Sequence, residues 1–317
     1  MNQLLSWILK RKKGILSLST THILNIGVAV LTLPIILSNL PTSEYGQWQF
    51  MLALQAWGLI VSAQQITESS KRGIALGKEG TFFYALFKRS KLLLFSSILF
   101  LFLFGFFYFT ERSTLGYLAL LSSVYLFTNI LFQTSVSDYF IAKKEFFFSS
   151  VWEILSSPLA RIGSSLVAFL THNILFFVLF QVGFALFLSL LAFVFLIVKR
   201  GLWKQYRQKN YDPSCLTYGL KFLPINITGA ISNRLVEVLI AIFFGFSNLA
   251  YFSVARDLRN QIANVLKIVS PLLYAEFVQY PFEELSQLIK KHLKKMIALS
   301  TFLATMGVGL SAVYILY

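Results

Sequence analysis

Runs of about 20 or more apolar residues recur from one end of the chain to the other, and basic residues gather in every second connection between them. A crossing of a bilayer takes about 20 residues of helix, and the runs near 15–38, 45–66, 92–109, 115–141, 147–170, 174–198, 218–243, 249–275 and 296–317 each meet that length. No stretch between them is long enough for a soluble domain. The composition agrees: of 317 residues, 56% are hydrophobic and only 13% charged, with 33 Phe and a mean hydropathy of +0.69. Soluble domains carry about a quarter charged residues. The expected fold is all-α, a polytopic membrane protein with a helical bundle of about nine transmembrane helices.

The net charge of +15 invites a nucleic-acid reading, but its placement excludes one. Lys10, Arg11, Lys12 and Lys13 lie at the N-terminus, and Lys71, Arg72, Lys78, Lys88, Arg89 and Lys91 in the second connection. The fourth holds Lys143 and Lys144, the sixth Lys199, Arg200, Lys204, Arg207 and Lys209, and the eighth Lys290, Lys291, Lys294 and Lys295. The odd connections (39–44, 110–114, 171–173, 244–248) hold one basic residue, Arg112. The positive-inside rule then places the N-terminus in the cytoplasm. Charge spread over loop ends is not a nucleic-acid face.

The N-terminal basic cluster does not open a cleaved signal peptide, because the following apolar run is too long and lacks a small-residue cleavage site. Residues 1–13 and 283–296 read as interfacial helices, with Leu4, Leu5, Trp7 and Ile8 on one apolar face and Leu285, Leu288, Ile289, Leu293 and Met296 on the other. One cysteine, Cys215, excludes an intrachain disulfide framework, and scattered histidines (His22, His172, His292) make a zinc site improbable. GIALGKEG at 73–80 approximates a phosphate loop, but it is one residue short and has Glu79 where Ser or Thr is required. Asn226-Ile227-Thr228 matches a glycosylation sequon inside a span. No catalytic, metal or cofactor motif is present; coupling to an ion or proton stays open.

Charges inside the spans mark a polar interior, since lipid does not tolerate them. In the eighth span Arg256, Arg259, Asn260, Ala263, Asn264, Lys267 and Ser270 share one helical face, a stripe about 20 Å long at about 1.5 Å per residue. In the seventh, Asn226, Gly229, Ala230, Asn233 and Glu237 fall together with Arg234 on the flank, roughly 15 Å from the outer end. Arg161 sits at similar depth in the fifth span, with Glu153 nearer the cytoplasm. Counting Arg161, Arg234, Arg256, Arg259 and Lys267 against Glu153, Glu237 and Asp257, the expected cavity is cationic. Arginine suits phosphate and carboxylate oxygens through its planar fork of donors. The alternative is that Arg234 with Glu237, and Arg256 with Asp257 or Asn260, form local structural networks. Pro34, Pro158 and Pro224 interrupt span interiors and read as kinks.

LTLPIILSNLPTSEYGQWQF (31–50) and YGLKFLPINITGAISNRLVEVLIAIFFGFSNLAYFSVARDLRN (218–260) resemble the first-to-second and seventh-to-eighth helix regions of the O-antigen (Wzx-type) flippase family. That family lies within the multidrug/oligosaccharidyl-lipid/polysaccharide exporter superfamily. The two stretches also resemble each other, SEYGQWQF against LAYFSVAR, with Tyr45 matching Tyr251, as tandem six-helix halves would produce. The resemblance implies a MATE-like fold of two six-helix bundles around an alternating-access cavity. Residues 1–198 would then be the first bundle, 199–217 a cytoplasmic linker and 218–317 an incomplete second bundle of helices 7–9, so the chain reads as truncated at its C-terminus.

It further implies a non-enzymatic flippase of the bacterial inner membrane, moving undecaprenyl-pyrophosphate-linked oligosaccharide, with other polysaccharide-assembly proteins as partners. Arg234, Arg256 and Arg259 would contact pyrophosphate or acidic sugar, with Arg161 and Lys267 as outer members. Asn226, Asn233, Asn260 and Asn264 would contact hydroxyls. Glu237, Asp257 and Glu153 would be counter-charges or coupling sites. Three rivals remain: a drug or cation exporter, which would carry an acidic cavity; a membrane enzyme of surface-polysaccharide assembly, which would carry an external loop or a catalytic cluster; and a membrane scaffold.

Overall fold

A computed structural model describes residues 12–61, 63–128 and 134–266, and every regular element among them is helical. The elements are α1 (Lys12–Asn39), α2 (Thr42–Val61), α3 (Gln65–Ala75), α4 (Thr81–Phe109), α5 (Ser113–Thr128) and α6 (Thr134–Ala142). They continue as α7 (Phe146–Thr171), α8 (Ile174–Val198), α9 (Leu202–Arg207), α10 (Ser214–Lys221), α11 (Leu223–Phe244) and α12 (Phe246–Leu266). Five helices among the described residues are long and apolar enough to cross a membrane. Their outer faces are bare apolar surface: Phe102 is 79% exposed and Phe109 86%. A soluble helix would hide such side chains, so these positions face lipid.

The sixth expected span coincides with α8 residue for residue. Others differ for local reasons. The third begins at Thr81 rather than Leu92, because the basic residues Lys88, Arg89 and Lys91 extend the helix beyond its apolar part. The seventh is two helices, broken at Phe222, so Pro224 sits in the first turn of α11. There a missing N–H costs nothing, and Pro224 does not kink a span interior. Pro34 does lie inside α1. Residues 1–11 of the interfacial stretch 1–13, the stretch 283–296, the ninth span and the end of the eighth lie outside the described residues, as do residues 129–133 in the fourth; Lys12 and Lys13 open α1.

Charge density hid α3 from the hydropathy reading. QITESSKRGIA buries Ile66, Thr67, Ser70 and Ile74 and exposes Glu68 and Arg72. Its end explains the glycines that follow: Gly77 takes φ +84, while Lys78 N–H bonds to the Gly73 carbonyl and Gly77 N–H to that of Ile74. This is a Schellman cap, not a phosphate cradle.

A continuous apolar core joins α2, α4, α5 and α8 through Met51, Phe100, Leu118 and Val178, and reaches Ala250 of α12. On one side α1 packs along α7, and α11 and α12 lie against α2. Two glycines set the closest approaches. A Cβ on Gly46 would lie 1.8 Å from the Phe246 carbonyl oxygen, and one on Gly219 2.7 Å from the Ile66 Cα. The basic connections are clamped rather than loose: Lys71 pairs with Asp138 at 2.8 Å, Lys143 with Glu79, and Arg200 with Glu145.

Candidate functional site: a charged seam and an adjoining cavity

Helical spacing builds the seam. Arg234 and Glu237 lie one turn apart on α11, and the Arg234 Nη1 donates to both Glu237 oxygens at 3.0–3.1 Å. Glu237 is fully buried. From α12 Arg256 reaches the same carboxylate, while its Nη2 donates to Asp257 Oδ1 at 3.1 Å. The result is an alternating row, Arg234–Glu237–Arg256–Asp257, where α11 and α12 meet α2. A carboxylate buried inside a lipid-facing bundle is costly unless it is paired in this way.

The local networks left open by the sequence are therefore formed. Among the described side chains, Arg161, Arg234 and Arg256 are matched in number by Glu153, Glu237 and Asp257, and the seam is charge-balanced. The cationic excess expected from the sequence depends on Arg259 and Lys267. The side chains of Arg259, Asn226, Asn233 and Asn264, and the whole of Lys267, lie outside the described residues. Asn260 lies on the last turns of α12, one turn beyond Arg256.

Glu153 stands apart from the seam. It accepts a hydrogen bond from Asn25 Nδ2 at 3.3 Å and lies within electrostatic reach of His22, so its surroundings belong to α1. Tyr45, buried at the start of α2, feels Asp257, Arg161 and Arg256. The sequence offered Tyr45 as part of a repeat, not as a site residue; its placement beside three charges follows from the α2–α12 contact at Gly46. Its repeat partner Tyr251 is 66% exposed, so the matched tyrosines occupy different surroundings.

Arg161 lines two spaces. With Asp257 and Thr32 it borders a cleft of about 40 Å³ against α1. With Trp152, Ser156, Ser157 and Gln181 it borders a cavity of about 300 Å³ between α5, α7 and α8. The cavity stands where α7 departs from α-geometry: Leu155–Leu159 forms a π-turn with Pro158 inside it. Proline lacks the N–H and crowds the carbonyl four residues back, and a widened turn relieves both. Pro158 was expected to kink its span; what the structure places there is a local widening of the helix. Among the described residues no cluster of metal-ligating side chains occurs. Compared with known proteins, the chain matches no family model, no curated sequence and no solved structure.

Proposed function

We propose that the chain is a flippase of the bacterial inner membrane, carrying the head of an undecaprenyl-pyrophosphate-linked oligosaccharide past the bilayer core. The observation that carries the reading is the charged seam at the α2–α11–α12 junction, inside a bundle whose outer faces are apolar. An inert scaffold has no use for four ionisable groups at that depth, and membrane placement of such groups marks a pathway. The proposed cycle keeps the lipid tail in the bilayer. The seam exchanges its internal pairs for contacts with the anionic head, as the halves 1–198 and 218–317 rock about the linker 199–217. The basic residues of the even connections support a cytoplasmic N-terminus.

The balanced seam favours a second reading. A net basic cavity argued against an exporter of drugs or other cations; a buried Glu237 held by two arginines does not. The test is transport in proteoliposomes, with a labelled polyprenyl-pyrophosphate oligosaccharide and a cationic dye run in parallel. Movement of the oligosaccharide, abolished in Arg256→Ala/Arg259→Ala, supports the flippase. Movement of the dye alone replaces it with the exporter. Movement of neither ends both.

A further inference from the structure

The seam arginines are already engaged, so an incoming anion meets a different guanidinium first. Arg161 makes no ion pair among the described residues, and the acidic group that shares its cleft, Asp257, is held by Arg256. Its other surroundings are the 300 Å³ cavity, at the lower end of small-molecule sites in size.

That cavity has two kinds of wall. Trp152, Tyr125 and Phe184 line it with aromatic rings, and Ser156, Ser157 and Gln181 with hydroxyl and amide groups, of which Ser156 also donates to the Glu153 carbonyl and Gln181 to Ser164. Aromatic faces take the C–H side of a pyranose ring, while hydroxyls and amides take its rim. A purely hydrophobic drug would not need the rim, and a bare phosphate would not need the faces. Fixed geometry keeps the space open. Gly163 lets α8 approach α7, since a Cβ there would lie 2.4 Å from the Phe180 ring. The π-turn at Pro158 then widens α7 beside Ser156 and Ser157. Close packing on one side and a widened turn on the other leave a gap that neither helix fills.

We infer that this cavity is a subsite for one acidic sugar residue of the transported head group, its carboxylate held by Arg161 and its ring against Trp152. The inference rests on the flippase reading and adds a substrate class to it: glycans that contain a uronic acid. It also separates two jobs, recognition of the sugar within residues 1–198 and passage of charge at the α11–α12 seam.

The test is saturation-transfer NMR on the full chain in nanodiscs, with glucuronate, glucose and inorganic pyrophosphate as probes. Glucuronate is expected to bind about tenfold more tightly than glucose, the difference coming from a charge-assisted bidentate contact. Arg161→Gln should erase that preference and Arg161→Lys restore part of it. Ser157→Leu, which fills the cavity and leaves the arginine, should weaken both sugars. Equal binding of the two sugars, or a preference that survives Arg161→Gln, overturns the subsite. Binding of pyrophosphate in place of glucuronate, dependent on Arg161, overturns it too and makes the cavity a phosphate site. Thermal melting of each variant shows whether it is folded; if Arg161→Gln is not, Arg161→Lys and Ser157→Leu decide. The transport assay reads the function separately, so glucuronate bound without transport sinks the flippase, and transport without glucuronate preference sinks the subsite.

Discussion

Removing the Glu237 carboxylate takes from two guanidiniums the buried acceptor they share. Arg256 is 10% exposed at its side chain and Arg234 31%, so Arg256 bears most of the cost. Breaking a buried pair by deleting one partner costs about 3–5 kcal/mol, whereas replacing a whole pair with apolar groups is close to neutral. Glu237→Ala should therefore lower thermal stability in detergent micelles by an amount in that range. Adding Arg256→Leu to it should recover part of the loss, since the second guanidinium goes but Asp257 then loses its partner. A double variant no more stable than the single one would show that Glu237 acts through something other than charge.

A second residue gives a pH signature outside the membrane. Asp212 lies in the linker, where its Oδ1 accepts from the Ser214 N–H at 3.0 Å and its own N–H donates to Thr81 Oγ1 at 2.8 Å. Partial burial works to raise its pKa, but the bonds from Ser214 and the nearby Lys78 and Arg72 outweigh it, and the carboxyl sits below the usual aspartate value. A depressed pKa means that the folded state favours the carboxylate. Its contribution is full above the unfolded value and is lost as pH falls through the lower folded one. The protection of the α10 amides, measured against their intrinsic exchange rates, should fall with acid over that window. Asp212→Asn should keep the acceptor and lose this pH dependence.

At the scale of elements, Gly46 is the position where α2 and α12 touch. Its Cβ-less backbone admits the Phe246 carbonyl, and the Phe50 and Phe246 rings meet edge-on at 5.7 Å beside it. Overpacking of this kind costs about 1–3 kcal/mol. Gly46→Val is expected to lower the melting point by a corresponding amount and to expose the α11–α12 seam to a water-soluble arginine reagent. Melting like the parent would mean that the two helices part without strain.

This contact also shows how far sequence reaches. Apolar length marked α8 and most of α1, α4, α5 and α7, because lipid-facing helices need little beyond hydrophobicity. It overlooked α3, whose Glu68, Lys71 and Arg72 read as loop although Ile66 and Ile74 anchor the helix. Helical phase placed Glu237 and Arg256 on polar faces, with Arg234 on a flank and Asp257 counted only as a counter-charge, but phase within one helix says nothing of which neighbour a face meets. Whether Glu237 would face lipid-borne substrate or Arg256 was decided by how α11 and α12 cross. Arg161 was legible as a membrane charge; the cavity beside it was not, since that required the π-turn and the α7–α8 approach together.

The molecule as a whole offers an orientation to test, carried by loop charge. Several of the basic residues behind that orientation are spent on carboxylates: Lys71 on Asp138, Lys143 on Glu79 and Arg200 on Glu145. Topology, however, is set as helices insert, before such tertiary pairs exist, and acidic residues weigh little in it. The pairing therefore leaves the expected orientation unchanged. The lone cysteine, Cys215, is buried, so a Cys215→Ser background lets single cysteines report on each side. Ser113→Cys, at the exposed start of α5 in an odd connection, should react with a membrane-impermeant maleimide in intact cells. Gln208→Cys, exposed in the sixth connection, should react only after permeabilisation. The reverse pattern would invert the chain, turn the proposed direction of transport around and put the basic linker on the outer face, against the positive-inside rule.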